Sequence, residues 1–290
     1  MSDTRPPAPM ELLRHHGLRP SKRLGQHFLT NRGILARILE AAGVSLADTV
    51  LEVGAGLGVL SVALAPRVSR LVAVEFDRGV AVLLRETLQP YPQAEVVEAD
   101  ILSLDVPTLL GYDAAARGRG DYKVVANLPY YITSAVLRLL LEARVRPRML
   151  VVMVQKEVAR RIVAGPGEMS LLAVSVQLYG KPSIVGQVSA GSFTPPPKVA
   201  SAILRIDVYD EPAVPLDSPA GFFALARAGF GQRRKQLRNS LAAGLHIEPG
   251  LATVALREAG LDERQRPENL SLEDWSRLYR SLAWQGVRMP

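Results

Sequence analysis

Asn127-Leu128-Pro129-Tyr130 is the stretch of this sequence best equipped for chemistry. A short apolar run, Val124-Val125-Ala126, reads as a buried strand leading into it, and Ser134 opens a helical pattern after it. In a doubly wound sheet the carboxyl end of a strand is where ligands sit. An amide, a peptide carbonyl, a stiff proline and an aromatic ring, in that order, make an apparatus for gripping a flat hydrogen-bonding group. The amino edge of an adenine base is such a group.

The elements before this corner supply its surroundings. Thr49 to Val53 reads as a strand, Gly54-Ala55-Gly56-Leu57-Gly58 as a glycine-rich turn, and Leu60, Leu64 and Ala65 as the start of a helix. The glycines let backbone approach a ligand closely. Val59 stands where a dinucleotide-type turn needs its last glycine, which counts against a pyrophosphate cofactor. The next strand ends at Glu75, a carboxylate placed to accept both hydroxyls of a ribose. A third strand, around Ala94 to Val97, leads to Asp100, placed to meet an adenine edge. Glycine turn, Glu75, Asp100 and Asn127 thus fall at four successive strand tips. That fits a nucleoside without a diphosphate lying across the sheet, and S-adenosylmethionine is a ligand of that kind.

The remaining segments frame the site. Residues 20–29 mix cations, an amide, an imidazole and an aromatic, and read either as an arm folded over the site or as a lead-in loop. Ile34, Leu35, Ile38 and Leu39 share a helical face that Gly43 ends, with Thr30 or Asn31 as its cap. Two β-like runs, Ser183 to Val188 and Ala200 to Val208, bracket Ser192-Phe193-Thr194-Pro195-Pro196-Pro197-Lys198-Val199. The prolines hold an extended backbone, so Phe193 either stacks on an extruded base or plugs the sheet edge. Asp210 to Pro219 reads as a linker, and the pattern beyond it is helical. Gly231 to Asn239 is the densest cationic patch, with Arg233, Arg234, Lys235 and Arg238 as phosphate ligands. Ser271-x-x-Asp274 opens a last helix that buries Trp275, Leu278, Tyr279 and Leu282.

Composition narrows the class. A 290-residue chain that is 48% hydrophobic buries one large core or two ordinary ones. It has no cysteine, which excludes disulfides and cysteine-ligated zinc. No histidine has metal-ligand spacing with a partner, so no metal is expected. No apolar run is long enough to cross a bilayer, and the start lacks a secretory signal; a cytoplasmic setting fits. The net charge is +7 and only six basic residues are lysine. An arginine-rich surface suits a polyanionic partner, or it reflects solvated arginines alone.

Taken together, these motifs resemble the ribosomal RNA adenine dimethyltransferase family of the kasugamycin-sensitivity type. The matching pieces are Leu24 to Leu29, Leu51 to Gly58, Asn127 to Tyr130, Gln155 to Val158, Phe193 to Val199 and Gly231 to Leu241, in the family's order. Ala55, Tyr131 and Met169-Ser170 depart from the residues frequent in relatives, which touches loops and not the corner. The resemblance implies dimethylation at N6 of two adjacent adenosines in the hairpin loop near the 3′ end of small-subunit (16S) ribosomal RNA. It also implies that His27, Leu29, Gly54, Glu75, Asp100 and Asn127 line the S-adenosylmethionine site. Asn127 and Leu128 would hold the amine, Pro129 would stiffen the corner, and Tyr130 would stack on the base.

The expected architecture is α/β: a Rossmann-like methyltransferase sheet with helices on both faces, followed by a small helical domain. Its expected divisions are a disordered tail (1–20), the methyltransferase domain (21–209), a linker (210–219) and a helical RNA-binding domain (220–290). A monomer acting on a partly assembled small subunit is expected. Three rivals share parts of the pattern. A large-subunit adenine methyltransferase of the macrolide-resistance type has the same corner, and a non-catalytic RNA-binding assembly factor could use the same fold. A DNA adenine methyltransferase usually has an acidic residue where Asn127 stands.

Overall fold

A computed structural model describes residues 9–21, 24–232 and 235–287. The chain divides into two units, Met1–Ala159 with Ser183–Val208, and Arg160–Pro182 with Tyr209–Pro290. The main sheet has seven strands: β1 (Thr49–Val53), β2 (Arg70–Glu75), β3 (Ala94–Glu98), β4 (Tyr122–Asn127), β5 (Met149–Gln155), β6 (Gly180–Val188) and β7 (Ser201–Val208). Their order is β3-β2-β1-β4-β5-β7-β6. The strands from β3 to β5 are parallel to their neighbours, and β7 is antiparallel to β5. Leu150 to Val154 are all buried, as a central strand covered on both faces requires. The order reverses between β1 and β4, and the carboxyl ends there form the crevice in which such sheets bind ligands.

Five helices of the first unit position that crevice: α1 (Pro9–His15), α2 (Arg32–Ala42), α3 (Val59–Leu64), α4 (Arg78–Leu88) and α5 (Thr133–Leu141). Asn31 caps α2 by accepting the Ile34 N–H, and Gly43 ends it in the left-handed region at φ 48°. α2 and α3 bring Ile38, Leu60 and Leu64 against Val50, Val125, Val151 and Ile203. α4, capped by Asp77, brings Leu84 and Leu88 against Ala73.

The start of the chain differs from expectation. Residues 1–8 lie outside the described residues, but residues 9–15 form α1 rather than part of a disordered tail. Leu13 is fully buried against Phe28, Leu57, Val80 and Leu83, with Met10 and Leu18 beside it. So short a helix owes its order to tertiary burial and not to propensity.

In the second unit, α6 (Leu171–Gln177) joins α7 (Pro219–Phe230), α8 (Leu237–Leu245), α9 (Pro249–Glu258) and α10 (Leu272–Trp284). Ser218 caps α7 with proline at its first position, and Ser271 with Asp274 forms a full capping box on α10. Trp275, Leu278, Tyr279 and Leu282 are buried as their spacing predicts. A Cβ on Gly229 would lie 2.4 Å from the Trp275 ring, so the close crossing there requires glycine. Residues 160–182 belong to this unit, whereas the sequence places them with the methyltransferase domain. Hydrogen bonds are the reason: the Gly167 and Met169 N–H groups donate to Glu268 O at 2.9 and 3.1 Å, and the Tyr209 N–H donates to Tyr179 O at 2.8 Å.

At the end of the sheet opposite the crevice lies a buried ion cluster that sequence reading does not find. Lys123 Nζ donates to Asp48 at 3.0 Å and to the carbonyls of Ala42 and Gly43 at 3.1 and 2.7 Å. Asp48 also takes the Ser45 N–H at 2.7 Å and pairs with Arg148. Burial raises the Asp48 carboxyl's pKa, but the Ser45 N–H and the two cations outweigh it and leave the group below its ordinary range. Lys123→Met would leave three buried acceptors short of a donor. We expect it to cost roughly 3 kcal/mol of stability, read as a lower urea midpoint with an unchanged slope.

Candidate functional site

The glycine turn leaves β1 with Gly54, Gly56 and Gly58 at φ 68°, 58° and 83°. The Gly54 and Ala55 N–H groups donate back to Val74 O at 2.8 and 3.2 Å, which folds the turn over the tip of β2. A Cβ on Gly54 would lie 3.1 Å from Pro129 Cδ, so glycine is what allows the turn and the Asn127–Tyr130 corner to meet.

Glu75 organises this turn as well as lining the crevice. One carboxylate oxygen accepts the Gly56 N–H at 2.8 Å and the other the Asp77 N–H at 2.9 Å. Burial pushes its pKa up, and those two N–H groups pull it back part of the way. Asp100 stands exposed at the tip of β3, one oxygen accepting the Leu102 N–H at 3.0 Å. Both carboxylates line a cavity of about 460 Å³, together with His27, Leu29, Gly54, Asn127, Leu128, Pro129 and Tyr130. The structure therefore gathers every residue that the resemblance assigns to cofactor or corner.

The corner is held from outside. Asn127 Nδ2 donates to His27 O at 3.1 Å. A carbonyl can only accept, so it takes the NH₂ end of the amide and leaves Oδ1 as the free end. Among the described residues nothing donates to Asn127 Oδ1 or to the Leu128 carbonyl. His27 is itself anchored, its Nδ1–H donating to Pro195 O at 2.7 Å. Its ring lies beside that of half-buried Tyr130, with centroids 6.1 Å apart and planes 29° from parallel. Residues 24–29 thus form an arm folded over the site and not a lead-in loop; residues 22 and 23 lie outside the described residues. Phe28 and Leu29 pair with Thr194 and Phe193 in a two-stranded ladder.

Phe193 is not presented to a base. It is 2% exposed and packs in the core with Leu29, Val188 and Ile203, so its ring has no free face for a base. The ladder with Leu29 turns it inward. Of the cationic patch, Arg233 and Arg234 lie outside the described residues. Lys235 is exposed, and Arg238 reaches Glu263 at 3.7 Å.

Sequence reasoning missed Glu52, whose only signal is a carboxylate in an otherwise apolar strand. It is 2% exposed in mid-β1 and lines the cavity, and its Oε2 has no hydrogen-bond partner among the described residues. Burial pushes it up to about 8, eased by the nearby Ser61 hydroxyl and reinforced by the charge of Glu75. Three acids line the cavity, and among the described residues no lysine or arginine does. An acidic lining repels a diphosphate and suits a ligand carrying sulfonium and ammonium charges, so the residues present fit S-adenosylmethionine. Among the described residues no group of three or more metal-ligating side chains occurs, and no helix is long and apolar enough to cross a membrane.

Comparison with known proteins shows the family. Residues 17–283 match the family described as ribosomal RNA adenine dimethylase. The chain belongs to that family. It is 46% identical over 268 residues to the ribosomal RNA small subunit methyltransferase A of Dehalococcoides mccartyi strain 195, covering 92% of this chain and 90% of the relative. The namesake from Alkaliphilus oremlandii is 39% identical, with 94% and 95% covered. Among solved structures, the chain is similar to a dimethyladenosine transferase from Plasmodium falciparum, with a TM-score of 0.75, 26% identity and 91% and 100% of the chains covered. It is also similar to the 23S rRNA methyltransferase ErmE, with a TM-score of 0.66, 29% identity and coverage of 88% and 99%. The chain is an S-adenosylmethionine-dependent ribosomal RNA adenine methyltransferase built on a Rossmann-like sheet.

The protein carries a pH signature in Glu52. A carboxyl whose folded pKa of about 8 exceeds its unfolded value of 4.5 leaves the folded state holding a proton that the unfolded chain has lost. Stability contributed there is full below the lower value and falls as pH rises toward the upper one. We expect the melting temperature of the ligand-free protein to fall by several degrees between pH 5.5 and 8. Glu52→Gln, read by calorimetry across the same range, should remove most of that slope.

Proposed function

We propose that the protein dimethylates N6 of two adjacent adenosines in the 3′-terminal hairpin loop of small-subunit (16S) ribosomal RNA, late in assembly of that subunit in the cytoplasm. The observation that carries this reading is that Asn127 and Leu128 line a cavity with three acids, and among the described residues nothing donates to Asn127 Oδ1 or to the Leu128 carbonyl. The names of the curated relatives favour the small subunit over the large one.

Adenine N6 is a poor nucleophile because its lone pair is delocalised into the ring. Asn127 Oδ1 and the Leu128 carbonyl each accept one N6 hydrogen, which favours a pyramidal nitrogen whose lone pair points away from both. Tyr130 supplies the stacking wall, and extruding a loop base costs less than breaking a pair. S-adenosylmethionine, when bound, supplies the methyl: the N6–C bond forms as the sulfonium C–S bond breaks. The amine then sheds its extra proton to solvent, so no general base is needed and catalysis is mostly positioning. Action as a monomer is part of this reading. The patch around Arg233, Arg234, Lys235 and Arg238 adds affinity for RNA phosphates.

Transfer of labelled methyl groups to immature small subunits, with mature large subunits and DNA as competitors, tests the reading. Labelling confined to the small subunit is expected, and labelling of large-subunit RNA would sink it. Asn127→Ala should slow single-turnover transfer by about 10²–10³-fold with RNA binding within about twofold. Lys235→Ala with Arg238→Ala should weaken RNA binding and lower the salt-dependence slope by roughly one unit for each phosphate no longer neutralised.

A further inference from the structure

Tyr130 is anchored at both ends. Its ring lies beside His27, and its hydroxyl shares a 2.5 Å hydrogen bond with Ser201 Oγ. Ser201 is wholly buried and opens β7, where it pairs with Gln155 at the end of β5. The sheet therefore holds its backbone, and the hydroxyl is a fixed post. Ser201 does not line the cofactor cavity, and the mechanism above gives it no task.

A post for the stacking ring matters most when other constraints on the base are weakest. The unmethylated amine offers two hydrogens, one to Asn127 Oδ1 and one to the Leu128 carbonyl. After the first transfer only one hydrogen remains. The second transfer then depends on the stacking wall for an orientation that the first obtains from two directed hydrogen bonds. We propose that Ser201 is a positioning residue for the second methyl transfer, fixing the tilt of Tyr130 over a monomethylated adenine. This rests on the adenine-N6 reading of the site.

Single-turnover reactions on immature small subunits, with mono- and dimethyladenosine quantified by mass spectrometry, test it. Ser201→Ala should lower the ratio of second to first rate constants about tenfold, the worth of one hydrogen bond, with the first constant within about threefold of wild type. Ser201→Thr keeps the hydroxyl and should retain the wild-type ratio, whereas Tyr130→Phe removes the same bond from the other side and should lower the ratio whatever it does to the first constant. The double variant should then be no worse than either single one. Equal slowing of both transfers, additive losses or an unchanged ratio would each overturn the assignment. If Ser201→Ala fails to fold, Tyr130→Phe decides alone. A wild-type protein that makes no dimethyladenosine on this substrate overturns the functional reading itself, whereas normal wild-type dimethylation with unchanged variant ratios overturns only the role of Ser201.

Discussion

The 3.1 Å hydrogen bond from Asn127 Nδ2 to the carbonyl of His27 is the constraint on which the site depends. An amide side chain has two nearly equivalent ends, and only one of them can accept a proton from an amine. A backbone carbonyl has no donor, so it selects the NH₂ end and leaves the oxygen available to accept. The segment carrying that carbonyl is held in turn by Pro195 and by the Phe28–Leu29 ladder. Preorganisation of this kind spares the reorganisation that a free amide would undergo each time a base arrived.

Charge shapes the cavity as much as hydrogen bonding does. Glu52, Glu75 and Asp100 gather there, and each is treated differently. Asp100 is exposed, Glu75 is buried but steadied by two backbone N–H groups, and Glu52 is buried without a partner for Oε2 among the described residues. Grouping acids in this way weakens the empty protein, since like charges and desolvation both oppose folding. A cationic ligand relieves that cost, so the same arrangement that lowers stability favours binding. The opposite end of the sheet has the reverse balance. There Asp48 is held between Lys123 and Arg148, and opposite charges attract within the fold.

Much of this was legible in the chain. Strand, glycine turn and helix announced β1 and α3, and Asn31, Ser218 and Ser271 were readable as caps because their side chains bond to backbone within four residues. The strand tips holding Glu75, Asp100 and Asn127 followed from where apolar runs stop. Interactions between distant residues were not legible. The order of α1 depends on Leu13 finding Val80 and Leu83, and the burial of Phe193 depends on its pairing with Leu29. Residues 160–182 join the second unit through bonds to Glu268, far along the sequence.

The sequence by itself determined the reaction's parts: an amide and carbonyl for the amine, a ring for the base, and carboxylates at successive strand tips for a nucleoside. It could do so because each part is a residue type at the end of a local pattern. Only the tertiary structure decided which end of Asn127 is left available to accept, that Phe193 points inward, and that Ser201 meets Tyr130 across 71 residues. Those outcomes depend on which surfaces pack together, and no local periodicity encodes the geometry of a contact between distant segments.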